Sequence, residues 1–497
     1  MRKLTKNIFV AVFTKLLLII FSIVAQRFVL RSYGSEINGL TSSITQFLSY
    51  FTLLEAGLGL ASIQALYKPL ATGDQSGIDG ILSATSRQYR KIGLIFLGLS
   101  IILSITMPLI SHSELDKGLV FFITILMGMS MVANYLFIGR YQVLLSADRK
   151  VYVINILDAV LGVSFSLIKI LLINAGYSII VVLSAALLSP VIRTLVLFIY
   201  VKISYPKISY KVVPNYEAIG KRKYVLVHQI VGMITNHTDV TILTVFSTLS
   251  QVSVYSVYNL IYGNISAIIS TAFSSAAQAS FGRMVESEIP ELNRYYELYE
   301  LFFTCMLFCL MAAVLVMTIP FVSLYTEGVI GVEYIDPILA ILFMVSMLFS
   351  TIRIPAITMV NASGRFKETQ KGAVIEAIIN IAVSIPAFLF LGVRGLLIGT
   401  CVAMGYRALD IQIYTYRKVL GKSLKRWIFM VCLNIFLMVI FVLFFTKVDP
   451  IIAENWISWL LAGIKCMAIA VLWFGVVCGV LYRKSFLEVY KLIRKKY

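Results

Sequence analysis

The sequence predicts an all-α polytopic membrane protein of about fourteen transmembrane helices, built as two pseudo-symmetric six-helix lobes followed by two C-terminal helices. Three observations predict it: a composition too apolar for a soluble core, a succession of apolar segments near bilayer length, and a weak repeat between the halves. Of the 497 residues, 59% are hydrophobic and 13% charged, and the mean hydropathy is +0.90. No water-soluble core absorbs that much apolar sequence. A formal charge of +19 raises the possibility of nucleic acid, but the bases are placed by loop in the way a membrane protein places them. Nucleic acid is therefore not an expected partner.

A bilayer core is crossed by about 20 helical residues at about 1.5 Å each. Segments of that kind run over 8–30, 37–66, 92–110, 118–138, 151–173, 178–201, 224–246, 252–280, 298–319, 337–360, 373–391, 395–416, 427–446 and 456–481. Lys and Arg concentrate in alternate connections, at residues 2–6, 68–91, 140–150, 202–223, 365–371, 417–426 and 483–496. The opposite connections hold almost only Arg31, Lys117, Arg394 and Lys447. By the positive-inside rule both termini are cytoplasmic. The first segment lacks a small-residue cleavage site and is read as a retained helix.

The basic stretch 202–223 divides an N-lobe (1–201, helices 1–6) from a C-lobe (224–418, helices 7–12), with helices 13 and 14 and a basic cytoplasmic tail in 419–497. Ala147-Asp148-Arg149-Lys150 precedes a helix bearing Asp158, as Ser363-Gly364-Arg365-Phe366-Lys367 precedes one bearing Glu376. Leu188 to Arg193 corresponds to Ala403 to Arg407, and Glu36-Ile37-Asn38-Gly39-Leu40 to Gln251-Val252-Ser253-Val254-Tyr255. Repeats with a site at their interface are the usual build of secondary transporters.

The segment Tyr224 to Phe246 opens the second half and carries His228, Gln229, Asn236, His237 and Asp239. Ionisable groups near a bilayer centre cost about 2.5–3.5 kcal/mol each, so they face a bundle interior or a hydrated cavity. His228 and Asp239 share a face but stand about 16 Å apart along the axis, too far for one metal. The six cysteines lie inside spans without metal-type spacing, which speaks against a disulfide framework or zinc. No cofactor is expected.

The intramembrane bases are Lys15, Arg27, Lys169, Arg193, Arg353, Arg407 and Lys465, against the acids Glu55, Asp158, Asp239, Glu376 and Asp410. Seven bases against five acids suit an anionic cargo better than a cationic one. Some of these are structural pairs on either reading: Arg407 and Asp410 lie three apart on one face, and Lys169 shares a face with Asp158. Lys15 and Lys465 have stems long enough to reach an interface. Pro190, Pro355 and Pro386 break or kink helices, for packing or to free carbonyls toward a cavity. A cation antiporter would carry an acidic cavity. A membrane glycosyltransferase or polymerase would need a sizeable outer loop with a catalytic constellation, and the longest, Phe321 to Asp336, has none. No Gly-rich phosphate loop is present, and an enzyme is not expected.

Tyr33 to Leu40, Gln46-Phe47-Leu48-Ser49-Tyr50 and Leu54-Glu55-Ala56-Gly57-Leu58-Gly59 resemble the first hairpin of Wzx-type polysaccharide flippases, members of the multidrug/oligosaccharidyl-lipid/polysaccharide exporter superfamily. Asn236-His237-Thr238-Asp239 followed by Val254 to Asn259 is similar to the seventh-helix region of that family. The resemblance runs over nearly the whole chain and departs from some relatives in the two extra spans from Trp427 onward. It implies a MATE-like fold in the bacterial inner membrane. It also implies translocation of undecaprenyl-diphosphate-linked oligosaccharide to the outer leaflet for capsule, O-antigen or exopolysaccharide assembly. Polysaccharide polymerase and assembly proteins are implied partners, besides membrane lipid. A diphosphate cannot cross hydrocarbon without groups replacing its solvent shell. Lys15, Arg27, Arg193, Arg353 and Arg407 are the candidates for binding it, and Asp239, Glu376 and Asp158 for binding a coupling ion. A multidrug cation antiporter of the same superfamily is the alternative transporter.

Overall fold

The computed structural model describes residues 2–287, 289 and 291–494; the side chains of 2–12, 220–231, 234–236, 275, 276, 279, 366 and 489–494 lie outside that description. Its elements are helical throughout. The first unit, Met1–Ser256 with Gly328–Val332, contains α1 (Arg2–Phe51), α2 (Leu58–Thr72), α3 (Gln75–Ile110), α4 (Lys117–Ala133) and α5 (Gly139–Ala147). It continues with α6 (Val151–Asn174), α7 (Ile179–Ala186), α8 (Leu188–Ser204), α9 (Lys223–Phe246) and the start of α10 (Leu249–Glu286). The second unit, Val257–Glu327 with Glu333–Tyr497, holds the rest of α10, α11 (Leu292–Tyr325), α12 (Pro337–Ile352), α13 (Ile354–Ala362), α14 (Gln370–Tyr414), α15 (Lys425–Lys447), α16 (Trp456–Leu481) and α17 (Arg483–Arg494).

Among the described residues, eleven helical stretches are long and apolar enough to cross a membrane. Two of them span 60 and 53 residues, more than one crossing can use. Each turns back on itself at a glycine. Gly34 adopts φ 82° within α1, and Gln26 Nε2 donates across the turn to Asn38 Oδ1 at 2.6 Å. Gly392 adopts φ 60° within α14, and Asn380 Nδ2 donates to Thr400 Oγ1 at 3.2 Å. With both hairpins counted as two crossings and α9 added, the described residues hold about the number of crossings the sequence predicts. Several helices run longer than the apolar pattern: α3 begins at Gln75, not 92, because Asp74 caps it by accepting from the Gly77 amide at 3.0 Å.

Apolar burial drives little association in lipid, where tails are as apolar as leucine, so close packing and polar contacts must hold the helices. The first unit accordingly buries Leu40, Ile44, Leu48, Phe96 and Leu144 beside the hydroxyl pairs Ser43–Thr244 at 2.7 Å and Thr85–Ser62 at 3.0 Å. Leu171 and Leu195 stay exposed on that unit, and Phe390 and Leu472 on the other. In the second unit Tyr258 and Tyr262 of α10 stack on Phe343 of α12 at 5.8 and 5.9 Å. Their hydroxyls donate to the Tyr334 and Ala340 carbonyls, so Tyr258 of the motif and Tyr262 one turn on form a helix seam.

The basic stretch 202–223 is tied down within the first unit. The Asn215 amide donates to the Gly80 carbonyl at 3.0 Å, the Ser209 amide to Asp79 at 3.0 Å, and Ser83 to the Val212 carbonyl at 2.9 Å. The turns named by the repeat share one backbone pattern. Asp148, Arg149 and Lys150 amides reach the carbonyls of Leu144, Ser146 and Leu145, as Ser363, Gly364 and Arg365 reach Met359, Asn361 and Val360. The left-handed position of that pattern, second of the three residues, is Arg149 in one (φ 59°) and Gly364 in the other (φ 68°).

Candidate functional site

Two of the basic candidates converge on one acid in the second unit. Arg353 sits where α12 breaks before Pro355, and its Nη1 lies 2.7 Å from Glu376 Oε1 on the first leg of α14. Arg407, on the returning leg, places Nε 3.8 Å from the other oxygen of Glu376 and Nη1 2.5 Å from Asp410. Glu376 is 4% exposed and Arg407 7%. The cluster of two guanidiniums and two carboxylates is neutral while both acids are ionised.

The first unit repeats this arrangement with fewer charges. Asp158 on α6 pairs with Arg193 on α8 at 2.7 Å, and Arg193 Nη1 donates to Asn134 at 3.1 Å in the π-turn Asn134–Ile138 after α4. Lys169, on the same face as Asp158 by spacing, is not its partner. It points instead to Gln26 Oε1 at 3.4 Å, and the chain of contacts continues through Asn38 to Ser253 at 2.6 Å. The reason is reach: Arg193 comes from a neighbouring helix directly opposite Asp158, whereas Lys169 is three turns away along α6.

Asp239 on α9 is 5% exposed and accepts from the Tyr255 hydroxyl at 2.9 Å. The neighbouring turn of α9 is fixed by Tyr50, whose hydroxyl lies 2.9 Å from Thr241 and whose ring meets His237 edge-on at 6.1 Å. The side chains of His228, Gln229 and Asn236 lie outside the described residues. Lys15 and Arg27 are half-buried on the first leg of α1. Lys465 pairs at 2.6 Å with Asp449 in the connection before α16, with both side chains largely exposed, which is the interfacial placement its long stem allows.

Besides Asp79, two acids that sequence reasoning passed over are also buried. Glu300, 2% exposed, accepts from Tyr296 at 3.0 Å and from Gln412 and Tyr416. Glu297 gathers Lys422 and, at 2.6 Å, Arg426. The apolar pattern starts at Leu298, so Glu297 reads as an edge residue and Glu300 as a lone charge in the first turn. A count of carboxylates at i and i+3 facing a Lys and Arg cluster at 417–426 is the signal that finds them. Among the described residues no group of three His, Cys, Asp or Glu could hold a metal ion.

No protein-family model matches the chain, and no curated protein matches it in sequence. Solved structures do match in fold. The lipid II flippase MurJ in an inward closed conformation aligns with a TM-score of 0.70 at 14% identity, over 95% of this chain and 98% of its own. An inward-facing multidrug resistance MATE family transporter of the MOP superfamily aligns at 0.63 and 14% identity, over 83% of this chain and 98% of its own. The fold is MurJ- and MATE-like. The Vibrio cholerae MATE transporter VcmN, carrying a point substitution, aligns at 0.58 and 15% identity, over 84% and 98%. The MurJ alignment leaves 5% of this chain unmatched, fewer residues than α15 and α16 contain, so those helices lie at least partly within that likeness.

Proposed function

We propose that the chain is a flippase that moves undecaprenyl-diphosphate-linked oligosaccharide units between leaflets of the bacterial inner membrane by alternating access, with both termini cytoplasmic. The observation that carries this reading is the convergence of Arg353 and Arg407 on Glu376. Guanidiniums are fork-shaped donors matched to phosphate oxygens, and a diphosphate can take over the contacts that a single carboxylate now makes. Protonation of Glu376 would leave the cluster with one net positive charge and release the forks toward the incoming anion. Glu376 therefore serves as the ion-coupling acid of this half, with loading of cargo tied to gain of its proton and unloading to its loss.

Arg193 and Asp158 serve the same exchange in the first unit, and Lys15 and Arg27 on the first leg of α1 add positive charge. Asp239 is the further coupling acid. Support for a lipid-linked cargo over a drug comes from the MurJ likeness, which covers 95% of this chain against 83% for the MATE family transporter. Capsule or O-antigen assembly and an accompanying polymerase follow from the Wzx resemblance of the first hairpin. No enzymatic step is proposed.

The test is reconstitution into vesicles with a fluorescent diphosphate-linked oligosaccharide in the inner leaflet. Wild type should move it outward, and Arg27→Ala, Arg353→Ala and Arg407→Ala should not, at equal incorporation. Full activity of all three variants, or transport of organic cations in place of the lipid, overturns the reading.

A further inference from the structure

The helix that begins after Gly34 does not run unbroken. It ends at Phe51, tightens into a 3-10 turn over Thr52–Glu55, and resumes as α2 at Leu58. Ala56 is extended (ψ 116°), and Gly57 takes φ 76°, a left-handed value that a side chain disfavours. Helices inside membranes break only where the freed backbone is covered by protein or lines a cavity. Here a cavity of about 410 Å³ opens at the break, lined by Thr52, Glu55, Gly57, Gly232, Met233 and His237.

The break carries a carboxyl group that the proposed exchange does not use. Glu55 accepts a hydrogen bond from the Tyr89 hydroxyl on α3, and Tyr135 in the π-turn adds a second neutral hydroxyl beside the carboxylate. The two rings stack at 6.5 Å, and Phe96 packs on Tyr135 at 5.1 Å, so the donors are held in place. Gly59 leaves room for the contact: a Cβ there would stand 3.2 Å from Glu55 Oε1 and 3.1 Å from the Tyr89 hydroxyl. His237 Nδ1 is buried without a hydrogen-bond partner among the described residues, on the opposite wall of the cavity. The other titratable groups nearby are Tyr50, against His237, and Asp239, held by Tyr255. Asp158 and Glu376 are fixed by guanidiniums, whereas no described ion pair includes Glu55.

We propose that Glu55 is a proton-binding site, loaded from water in the cavity at the helix break. Neutral donors hold it, so protonation strands no buried guanidinium, the penalty that accompanies it at Asp158 or Glu376. The proton adds to a carboxylate oxygen; the resulting acid has a hydrogen to donate, and a tyrosine hydroxyl must turn to accept it. That reversal of one hydrogen bond occurs at the least helical point of the α1–α2 run. A metal cation is a poorer fit because, among the described residues, no group of three His, Cys, Asp or Glu gathers there.

Coupling of this proton to transport rests on the flippase reading, but binding does not, and the experiment separates them. Infrared difference spectra of the purified full chain, without substrate, are recorded between acid and neutral pH. The protonated-carboxyl band expected in wild type should be lost in Glu55→Gln. In Tyr89→Phe, which keeps the acid and removes a donor to its charged form, the band should persist with its midpoint moved up by about one pH unit. A band unchanged in folded Glu55→Gln, or a midpoint unmoved in Tyr89→Phe, overturns the site. If the band behaves as expected but vesicles move no lipid-linked oligosaccharide, the cargo assignment falls and the proton site stands.

Discussion

Arg353 Nη1 and Glu376 Oε1 meet at 2.7 Å across a helix break and a hairpin leg, with the acid almost wholly removed from solvent. Without Arg353, Glu376 keeps only the Arg407 guanidinium, 3.8 Å from its other oxygen, and breaking a buried pair costs up to about 3–5 kcal/mol. Arg353→Ala should therefore lower the melting temperature of the purified protein strongly, and Arg353→Leu with Glu376→Leu should recover most of it. A double variant no more stable than the single would show that the pair is not the source of the loss.

The matching pair in the first unit is wetter: the Asp158 side chain is 35% exposed. Solvent screening reduces what such a pair contributes to about 1 kcal/mol or less. Arg193→Ala should shift the melting temperature far less than Arg353→Ala in the same detergent. Equal shifts would contradict the difference in burial.

Gly39 faces the start of α10 so closely that a Cβ would stand 1.8 Å from the Leu249 carbonyl oxygen. Gly39→Ala must push two backbones apart and should destabilise the fold by about 1–3 kcal/mol. Gly98, inside α3, meets nothing within 4 Å of an added Cβ. Gly98→Ala should hold or raise the melting temperature, since alanine stabilises a helix interior by up to about 1 kcal/mol over glycine. Thermal unfolding of the two variants side by side checks both signs.

Outside the spans, Asp148, Lys150 and Tyr205 form a clasp at the end of α8. The Tyr205 hydroxyl donates to Asp148, and the Lys150 ammonium reaches both at 2.9 and 3.0 Å. Burial pushes the Asp148 carboxyl up, but the Tyr205 hydroxyl and Lys150 outweigh it and hold it below its usual value of 3.8. A depressed carboxylate contributes stability above its unfolded value and loses it as pH falls through the folded one. Limited proteolysis of 205–216 should therefore be slow near neutrality and accelerate as pH drops below about 3.8, and Asp148→Asn should remove that pH dependence.

Ser204 ends α8 at the start of the basic stretch. If that stretch is cytoplasmic, Ser204→Cys should resist a membrane-impermeant thiol reagent in intact cells and react in inverted vesicles. Strong labelling of intact cells would reverse the topology.

Much of this fold was legible because lipid imposes a long apolar run on every crossing, and α6 and α16 begin where their runs begin. The start of α3 was not, since Asp74 caps a helix that extends well before its apolar residues begin, and α11 likewise overruns its apolar run at both ends. The hairpin glycines were inside the quoted motif at Gly34 but unmarked at Gly392. Candidate charges were legible as a set, because a charge in an apolar run stands out. Their pairing was not: Arg193 with Asp158 and Arg353 with Glu376 are contacts between helices, 35 and 23 residues apart in sequence. Glu55 showed as one of five acids and as a member of the Leu54 to Gly59 motif, with no role attached to it. Its importance comes from tyrosines at 89 and 135 that no local pattern connects to it.

The placement of α9 sets a schedule for biogenesis. In sequence this helix opens the second half, but its packing belongs to the first unit, which runs to Ser256 inside α10. Domains form during synthesis from the N-terminus onward. The first six crossings can thus be inserted yet remain without their last neighbour until more than half the polypeptide has been made. During that interval the face of α1 bearing Ser43 and Tyr50 waits for Thr244 and Thr241. A ribosome stalled in the 202–223 stretch would leave a nascent bundle exposed to membrane quality control.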